Sequence, residues 1–128
     1  MLESWERSSD LLPRSRHEAP LDDEDRTREQ WAASPLRPAV RTLESELTSV
    51  ARDGSFIVAV TGPDGKILWT HGSRWMRTRA EAVHFVPGGR WDEASMGTNA
   101  LAMALDANRP AAVFSAEHFT EVVHEWVC

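Results

Sequence analysis

The chain has 128 residues, 41% of them hydrophobic, and a formal net charge of -6. That length suffices for one hydrophobic core but not for two full domains, and the acidic balance argues against direct contact with nucleic acid. The single cysteine, Cys128, excludes an internal disulfide, and no apolar run is long enough to cross a membrane. We therefore expect a cytoplasmic protein without membrane contact.

The first 33 residues are rich in charge and poor in periodic apolar residues. Pro13 and Pro20 interrupt the segment, which predicts an N-terminal arm that cannot bury much surface. The segment has room for a short helix over residues 2–10, and Trp5 could dock it on the main body. The difference in composition between this segment and the rest of the chain predicts an arm over residues 1–33 and a folded domain over residues 34–128.

A helix is predicted over residues 35–52, with Ser34 as its cap and Pro35 as its first residue, unless Pro38 moves the start to Arg37. Its apolar residues recur at spacings of four and three, which gives one continuous stripe. Such a stripe packs either on the sheet of its own domain or on the same helix of a second copy. The second alternative is a homodimer. The stripe consists of Leu36, Val40, Leu43, Leu47 and Val50.

A β-hairpin follows, with strands predicted over residues 55–61 and 66–71 around a Gly-Pro-Asp-Gly turn. The first strand has apolar residues on both faces, which is typical of a strand covered on both sides. Phe56, Val58 and Val60 share one face, and Ile57 and Ala59 share the other.

A short helix is predicted over residues 74–83, a third strand over residues 111–114 and a last helix capped by Ser115. The first of these helices is rich in arginine, which indicates either a site for an anion or acidic partner or, more simply, a solvated face. The last helix would present one apolar face made of Phe119, Val122, Val123 and Trp126.

Residues 91–105 are predicted to form one loop-to-helix segment whose helix is capped by Asp92. Gly97, Thr98 and Asn99 lower helix propensity inside it, which indicates a role other than helicity. Helical projection places Gly97 and Thr98 on the inward side. They would either approach a small bound molecule or allow close packing, with the Thr98 hydroxyl bonded to a carbonyl one turn earlier.

Catalytic and metal-binding patterns are weak. His118 and His124 are six residues apart, so on one helix they would lie on different faces and could not chelate one ion. Cys128 has no nearby positive charge to stabilise a thiolate. We therefore predict no metal, no cofactor and no enzymatic activity.

Several motifs together resemble the N-terminal GAF-type sensor region of bacterial transcriptional regulators, particularly acetoin-regulator-like activators and their actinobacterial relatives. The resemblance implies an α/β fold in which an antiparallel sheet carries flanking helices and holds a small effector between them. The motifs are Ser-Trp-Glu-Arg-Ser at residues 4–8, Pro-Asp-Gly-Lys-Ile-Leu at 63–68, Trp-Asp-Glu at 91–93, Gly-Thr-Asn-Ala at 97–100 and Glu-His-Phe at 117–119.

This resemblance also implies further strands beyond the position of Cys128, so we expect a fragment, or a sheet completed by another chain. The expected function is binding of an unknown small-molecule effector, with the signal passed through a dimer helix. The alternatives are an interaction module without a ligand and, less favoured, a small redox enzyme such as a sulfoxide reductase. The predicted ligand-binding residues are Thr98, Gly97, Trp91, Phe56, Val58 and Trp69.

Overall fold

The structure is a computed structural model that describes residues 1–128, apart from the side chains of Ala51 and Asp53. It confirms the predicted α/β class, with helices around a small antiparallel sheet. None of the described helices is long and apolar enough to cross a bilayer. The elements are α1 (Leu2–Leu11), α2 (Glu24–Ala33), α3 (Arg37–Asp53), β1 (Ile57–Thr61), β2 (Ile67–Gly72), α4 (Arg74–Ala82), α5 (Glu93–Met96) and α6 (Ala100–Ala107).

The predicted hairpin is present, with β1 and β2 antiparallel. Val60 pairs with Trp69, but Thr61 pairs with Ile67, so Leu68 is an additional residue that forms a bulge. The bulge changes which side chains lie on each face. Ile67 therefore enters the core, whereas Trp69 lies on the opposite face.

The two faces of the hairpin have different neighbours. Helices α2 and α3 pack against β2, and Trp31 of α2 stacks on Trp69 with ring centroids 6.3 Å apart. On the other face, Ile57 and Ala59 border a cavity together with α4 and the C-terminal residues. The prediction that other elements cover both faces is therefore confirmed, although one covering is incomplete.

Helix α3 carries the predicted apolar stripe but buries only part of it. Val40 and Leu47 are half-buried, whereas Leu36, Leu43 and Val50 are exposed. The chain itself therefore leaves an apolar strip of α3 in contact with solvent.

The first 33 residues contact the rest of the chain at several points. The main-chain amide of Ala19 donates to the carbonyl of Val83 at 3.1 Å, and that of Asp22 donates to Gly88 at 2.8 Å. Lys66 is buried, and its Nζ donates to Asp22 Oδ2 at 2.8 Å, which holds the pKa of that carboxyl below its ordinary value. The boundary at residue 33 stays a prediction.

Helix α2 within that segment was not predicted from the sequence. Asp23 caps it, because its carboxylate accepts a hydrogen bond from the Arg26 amide at 2.8 Å. Glu24 and Asp25 follow in the first turn, where the helix dipole favours negative charge. These acidic residues, which lie in the predicted N-terminal arm, therefore begin a helix.

The continuous helix predicted from Asp92 is wrong, because the chain turns at Gly97. Helix α5 ends at Met96, and Gly97 has φ 72° and ψ -165°, a conformation essentially restricted to glycine. Asn99 then caps α6, its side chain accepting from the Ala102 amide at 3.0 Å. Gly97, Thr98 and Asn99, which lower helix propensity, therefore lie at the boundary between two helices.

The predicted strand over residues 111–114 and the helix capped by Ser115 are also wrong. Val113 and Cys128 exchange two main-chain hydrogen bonds of 2.9 Å each, so the chain folds back on itself. Ser115 has φ 46°, a left-handed conformation that starts this reversal. Two short 3-10 helices, Ser115–Glu117 and Glu121–Val123, replace the single helix because a straight helix would carry the chain end away from Val113.

Candidate functional site

A cavity of about 680 Å³ lies beside the hairpin, within the range typical of small-molecule sites. Strand β1, helix α4, the start of α6 and the C-terminal residues form its walls. Its lining is mostly apolar and aromatic: Phe56, Ile57, Ala59, Trp75, Met76, Val83, Phe85, Trp91, Ala100, Leu101, Val123, Trp126 and Val127, with Ser55, Arg79, Asn99, His118, Glu125 and Cys128 as the polar members.

Three aromatic rings on one side of the cavity support one another. Phe85 meets Trp91 edge to face, with centroids 5.1 Å apart, and lies 6.4 Å from Trp126. The indole Nε1 of Trp91 donates to the His84 carbonyl at 3.1 Å, which fixes the orientation of that ring. This wall is therefore formed before any ligand arrives.

The charged pair in the lining is neutral as a unit. Arg79 Nη2 lies 3.0 Å from Glu125 Oε2, and the guanidinium also lies over the rings of Trp75 and Trp126, at 4.9 and 5.8 Å from their centroids. The ion pair leaves no net charge on this part of the wall.

His118 is the buried titratable side chain of the lining. Its side chain is 1% exposed, and its Nδ1 lies 2.9 Å from the Ser115 carbonyl oxygen. A carbonyl only accepts, so we assign the proton to Nδ1 and the lone pair to Nε2. Burial lowers the pKa of His118, which favours this neutral form.

Cys128 is exposed at the edge of the cavity, and partial desolvation there raises the pKa of its thiol. The thiol is therefore a poor source of thiolate, the form needed for nucleophilic or redox chemistry. Across the part of the chain that the structure describes, no three His, Cys, Asp or Glu side chains are arranged to hold a metal ion.

The structure brings two of the six predicted ligand-binding residues, Trp91 and Phe56, to the cavity. Val58 and Trp69 lie on the other face of the hairpin, where Trp69 stacks between Trp31 and His71. The alternation of the strand explains this, because Ile57 and Ala59 point toward the cavity. Gly97 and Thr98 lie outside the lining, against α1.

Gly97 and Thr98 belong to a packed cluster that we name the α1 anchor, made of Ser4, Trp5, Ser8, Gly97, Thr98 and Phe119. The buried Thr98 hydroxyl lies 2.7 Å from Ser4 Oγ and 3.3 Å from Ser8 Oγ. Its partners are therefore on α1, rather than a carbonyl one turn earlier. Trp5 meets Phe119 edge to face at 5.4 Å, which confirms that this tryptophan docks the N-terminal helix.

The α1 anchor is closed by contacts at its edge. Trp5 Nε1 donates to the Glu117 carbonyl at 2.7 Å, and Arg7 makes two bonds of 2.9 and 3.0 Å to the Glu93 carboxylate. The pKa of Arg7 is raised, chiefly by this hydrogen bond to Glu93. A Cβ on Gly97 would lie 2.6 Å from Phe119 Cδ1, so glycine permits the close approach of that ring.

Sequence reasoning did not predict most of the cavity lining, including Phe85, Trp126, Arg79 and His118. The sequence contained only indirect signals: an aromatic residue before the Pro-Gly-Gly loop, and a histidine beside Phe119. We considered His118 only as a metal ligand on a helix, and that helix is absent. Convergence of these residues depends on the reversal at Ser115.

Comparison with known proteins found relatives over most of this chain, although no protein-family model matches it. An uncharacterised 47.3 kDa protein from the thcA 5' region of Rhodococcus erythropolis is 34% identical over 95 residues, 74% of this chain and 21% of that protein. The acetoin dehydrogenase operon transcriptional activator AcoR of Bacillus subtilis is 29% identical over 93 residues, 73% of this chain and 14% of the activator.

A chain in the crystal structure of the Escherichia coli DhaR(N)–DhaL complex has a similar fold, with a TM-score of 0.77 and 21% sequence identity over 98% of this chain and 44% of that chain. This similarity supports the α/β fold, and the relationship to AcoR supports a regulator region. The present chain spans about a fifth or less of the curated relatives that it matches. The GAF-type assignment stays a prediction. The chain is thus similar in sequence to part of a transcriptional activator and similar in fold to a chain of the DhaR(N)–DhaL complex.

Proposed function

We propose that this chain is a non-enzymatic regulatory domain of a transcriptional regulator and that it senses a small molecule in the cavity beside β1. The observation that carries the proposal is the preformed aromatic cavity of about 680 Å³. The sequence similarity to AcoR supports a regulatory rather than a catalytic role. A GAF-type sensor is the finer form of this proposal.

The position of the cavity suggests how binding is transmitted. A molecule against Ile57 and Ala59 contacts β1, which pairs with β2, and β2 packs on α3. Binding would shift an existing equilibrium between arrangements of the hairpin and α3. The exposed part of the α3 stripe would then pass the change to a second copy.

Thermal-shift screening with small carbonyl compounds, alcohols, aromatics and nucleotides tests the sensor proposal. A ligand that binds only the folded protein raises its melting temperature. We expect Ala59→Phe, which fills the cavity from β1, to abolish the shift. The matched control is Val58→Phe on the opposite face of the same strand, which should retain it. Failure of every compound class to raise the melting temperature would contradict the proposal.

The second candidate is an interaction module that self-associates through α3. Leu36, Leu43 and Val50 are 50%, 52% and 54% exposed on this helix, which is unfavourable in a monomer. The similar E. coli chain was crystallised in a complex with a second protein, which supports a partner surface in general terms.

Light scattering coupled to gel filtration tests this candidate. We expect a concentration-dependent dimer that Leu43→Glu disrupts, because a charge would be buried in the apolar interface. Ser45→Glu adds the same charge at an exposed site on another side of α3 and should leave the dimer intact. A monomer at all accessible concentrations would eliminate self-association.

A further inference from the structure

Arg79 gives the cavity wall a positive group that is held in place. Of the described residues that line the cavity, it is the one arginine or lysine. Its guanidinium lies 4.9 Å from the ring centroid of Trp75 and 5.8 Å from that of Trp126, and cation–π contact with two rings of the lining restrains it there. Because its side chain is 37% exposed, a molecule that enters the cavity can contact it.

Most of the hydrogen-bonding capacity of Arg79 is open to exchange. A guanidinium has five N–H donors. Within the part of the chain that the structure describes, one of these donors, on Nη2, bonds to Glu125 Oε2 at 3.0 Å. The others are available to water, which a ligand can displace. A ligand carboxylate could therefore accept two parallel hydrogen bonds from this group.

Glu125 is the less firmly held member of the ion pair. Its side chain is 81% exposed, and its bond to Arg79 is the one side-chain contact found for it among the described residues. An exposed ion pair contributes little to stability, because solvent screens it and two long side chains must be ordered to form it. Exchange of Glu125 for the carboxylate of a ligand therefore costs little, since Glu125 returns to water.

The charge and the shape of the wall restrict the ligand that can make this exchange. A monocarboxylate keeps its unit with Arg79 neutral, as Glu125 does, whereas a dianion such as a phosphate monoester would leave a negative charge against apolar side chains. Phe85 and Trp91 continue the aromatic wall, since Phe85 lies 6.4 Å from Trp126 and 5.1 Å from Trp91. This surface favours an apolar or aromatic body on the carboxylate.

We propose that the cavity binds small monocarboxylates with an apolar or aromatic body, and that Arg79 holds the carboxylate in place of Glu125. Glu125 is then an internal competitor that occupies Arg79 while the cavity is empty. The inference rests on the proposed function, because it names the ligand class of the same cavity. Arg79 is the specificity-determining residue, and the aromatic wall supplies most of the contact surface.

Three probes that share a phenyl ring and one attached carbon test the ligand class: benzoate, benzyl alcohol and benzylamine. At neutral pH the first is an anion, the second is neutral and the third is a cation. Titrations followed by the ¹H–¹⁵N signals of the tryptophan indoles give a Kd for each probe. We expect benzoate to bind about tenfold more tightly than benzyl alcohol, because its hydrogen bonds to Arg79 are charge-assisted, and benzylamine to bind most weakly.

Two outcomes of these titrations would overturn the carboxylate site. Equal Kd values for benzoate and benzyl alcohol would show that Arg79 does not select the ligand, while leaving the sensor proposal intact. Tightest binding by benzylamine would show that a cation takes the place of Arg79 beside Glu125. If no probe binds and the wider thermal-shift screen also fails, the cavity is not a ligand site, and the proposed function fails with it.

Glu125→Gln tests the internal competitor at an exposed position that tolerates the change. Loss of the competing charge should tighten benzoate binding about threefold and leave the Kd of benzyl alcohol unchanged. Glu121→Gln is the matched control, because it removes the same charge from an exposed side chain that lies near Arg14 instead, and it should leave both Kd values unchanged. An unchanged benzoate Kd in Glu125→Gln would overturn the exchange.

Arg79→Gln assigns the preference to the guanidinium. The variant should bind benzoate no more tightly than benzyl alcohol. Arg77→Gln, at an exposed position of the same helix outside the cavity lining, is the control and should retain the tenfold preference. A tenfold preference that survives in Arg79→Gln would overturn the proposal.

A spectroscopic readout covers the case in which Arg79→Gln does not fold. The Nε–H resonance of Arg79 in the unmodified protein should shift far more on saturation with benzoate than with benzyl alcohol, because the carboxylate binds the guanidinium itself. Equal shifts with the two bound probes would overturn the contact between Arg79 and the carboxylate.

Discussion

The α1 anchor and the cavity adjoin each other, yet the anchor is closely packed and the cavity is open. Thr98 belongs to the anchor, whereas its neighbour Asn99 lines the cavity. In the same way, Phe119 belongs to the anchor and its neighbour His118 lines the cavity. In the anchor, the buried hydroxyls bond to one another and the aromatic rings are in contact. In the cavity, aromatic rings leave open space between them.

This difference separates residues that hold the fold from residues that can recognise a ligand. The most distinctive motifs of the sequence, Gly-Thr-Asn-Ala and Ser-Trp-Glu-Arg-Ser, place Gly97, Thr98, Ser4 and Trp5 in the anchor. Complete satisfaction of polar groups stabilises the docking of α1. Open space between apolar and aromatic side chains is what a small-molecule binding site requires. Substitutions in the two regions should therefore have different consequences.

The largest expected effect is that of Gly97→Ala in the anchor. Alanine would have to adopt φ 72° with its Cβ 2.6 Å from Phe119 Cδ1. We expect a loss of about 2–4 kcal/mol in the free energy of unfolding, from backbone strain and overpacking. Urea denaturation followed by circular dichroism measures it.

Gly62→Ala is the matched control for that substitution. A Cβ on Gly62 would meet the flexible end of the Gln30 side chain and the Asp64 carboxylate, both of which can move. We expect a change below about 1 kcal/mol. Equal losses for the two variants would show that Gly97 has no special role in the anchor.

The next effect is that of Thr98→Val, which keeps the shape of the side chain but removes its hydroxyl. Ser4 Oγ then loses its 2.7 Å partner inside the anchor, and we expect a loss of about 1–2 kcal/mol. The double variant with Ser4→Ala should lose less than the sum of the single losses, which a double-mutant cycle measures.

Thr78→Val, at an exposed position of α4, is the control and should change stability by about 0.5 kcal/mol or less. Strict additivity would contradict the hydroxyl contact.

The pH dependence of stability tests the buried state of His118. Burial, assisted by the nearby His124, holds its folded-state pKa below the ordinary value of 6.5, although the Ser115 carbonyl and Glu117 act in the opposite direction. The unfolded chain therefore binds more protons just below pH 6.5, so the free energy of unfolding falls with decreasing pH until the folded-state pKa is passed. Denaturation across this range should show a steeper fall for the unmodified protein than for His118→Phe. Identical profiles would refute the depressed pKa.

The smallest effect on stability is expected for Trp75→Ala at the cavity. Trp75 is 58% exposed, so its removal should cost less than about 1 kcal/mol. The same change removes an aromatic ring from the wall and should weaken, several-fold, the binding of benzyl alcohol, an aromatic alcohol from the classes screened by thermal shift. Melting temperature and Kd measured together check it. A large loss in the free energy of unfolding with an unchanged Kd would contradict the assignment of Trp75 to ligand binding rather than to stability.

The sequence predicted the parts of the fold that depend on local pattern. The stripe of α3 and the turn of the hairpin follow from residue spacing and turn chemistry, and both are present. Residue order indicates that Gly97 is unusual, but its close contact with Phe119, which is distant in sequence, is not visible in the local pattern. Gly97 lies outside the cavity lining, and its place in a ligand site stays a prediction.

The cavity was harder to predict because distant segments build it. Phe56 and Ala59 both line the cavity, although strand alternation predicted them on opposite faces, because Phe56 lies before β1 begins at Ile57. His118 and Trp126 reach the wall because the chain reverses at Ser115, where a helix start was expected. Propensity favoured a helix there, and the main-chain pairing of Val113 with Cys128 overrides it.

Intermolecular nuclear Overhauser effects between benzyl alcohol and the six tryptophans test the central claim most directly, because these residues divide between the cavity and the rest of the molecule. Trp75, Trp91 and Trp126 line the cavity, whereas Trp5 lies in the α1 anchor and Trp31 and Trp69 stack on the far face of the hairpin. We expect contacts from the ligand ring to the first three indoles and none to the other three. Contacts to Trp5, Trp31 or Trp69 instead would contradict the assignment of the cavity as the sensing site.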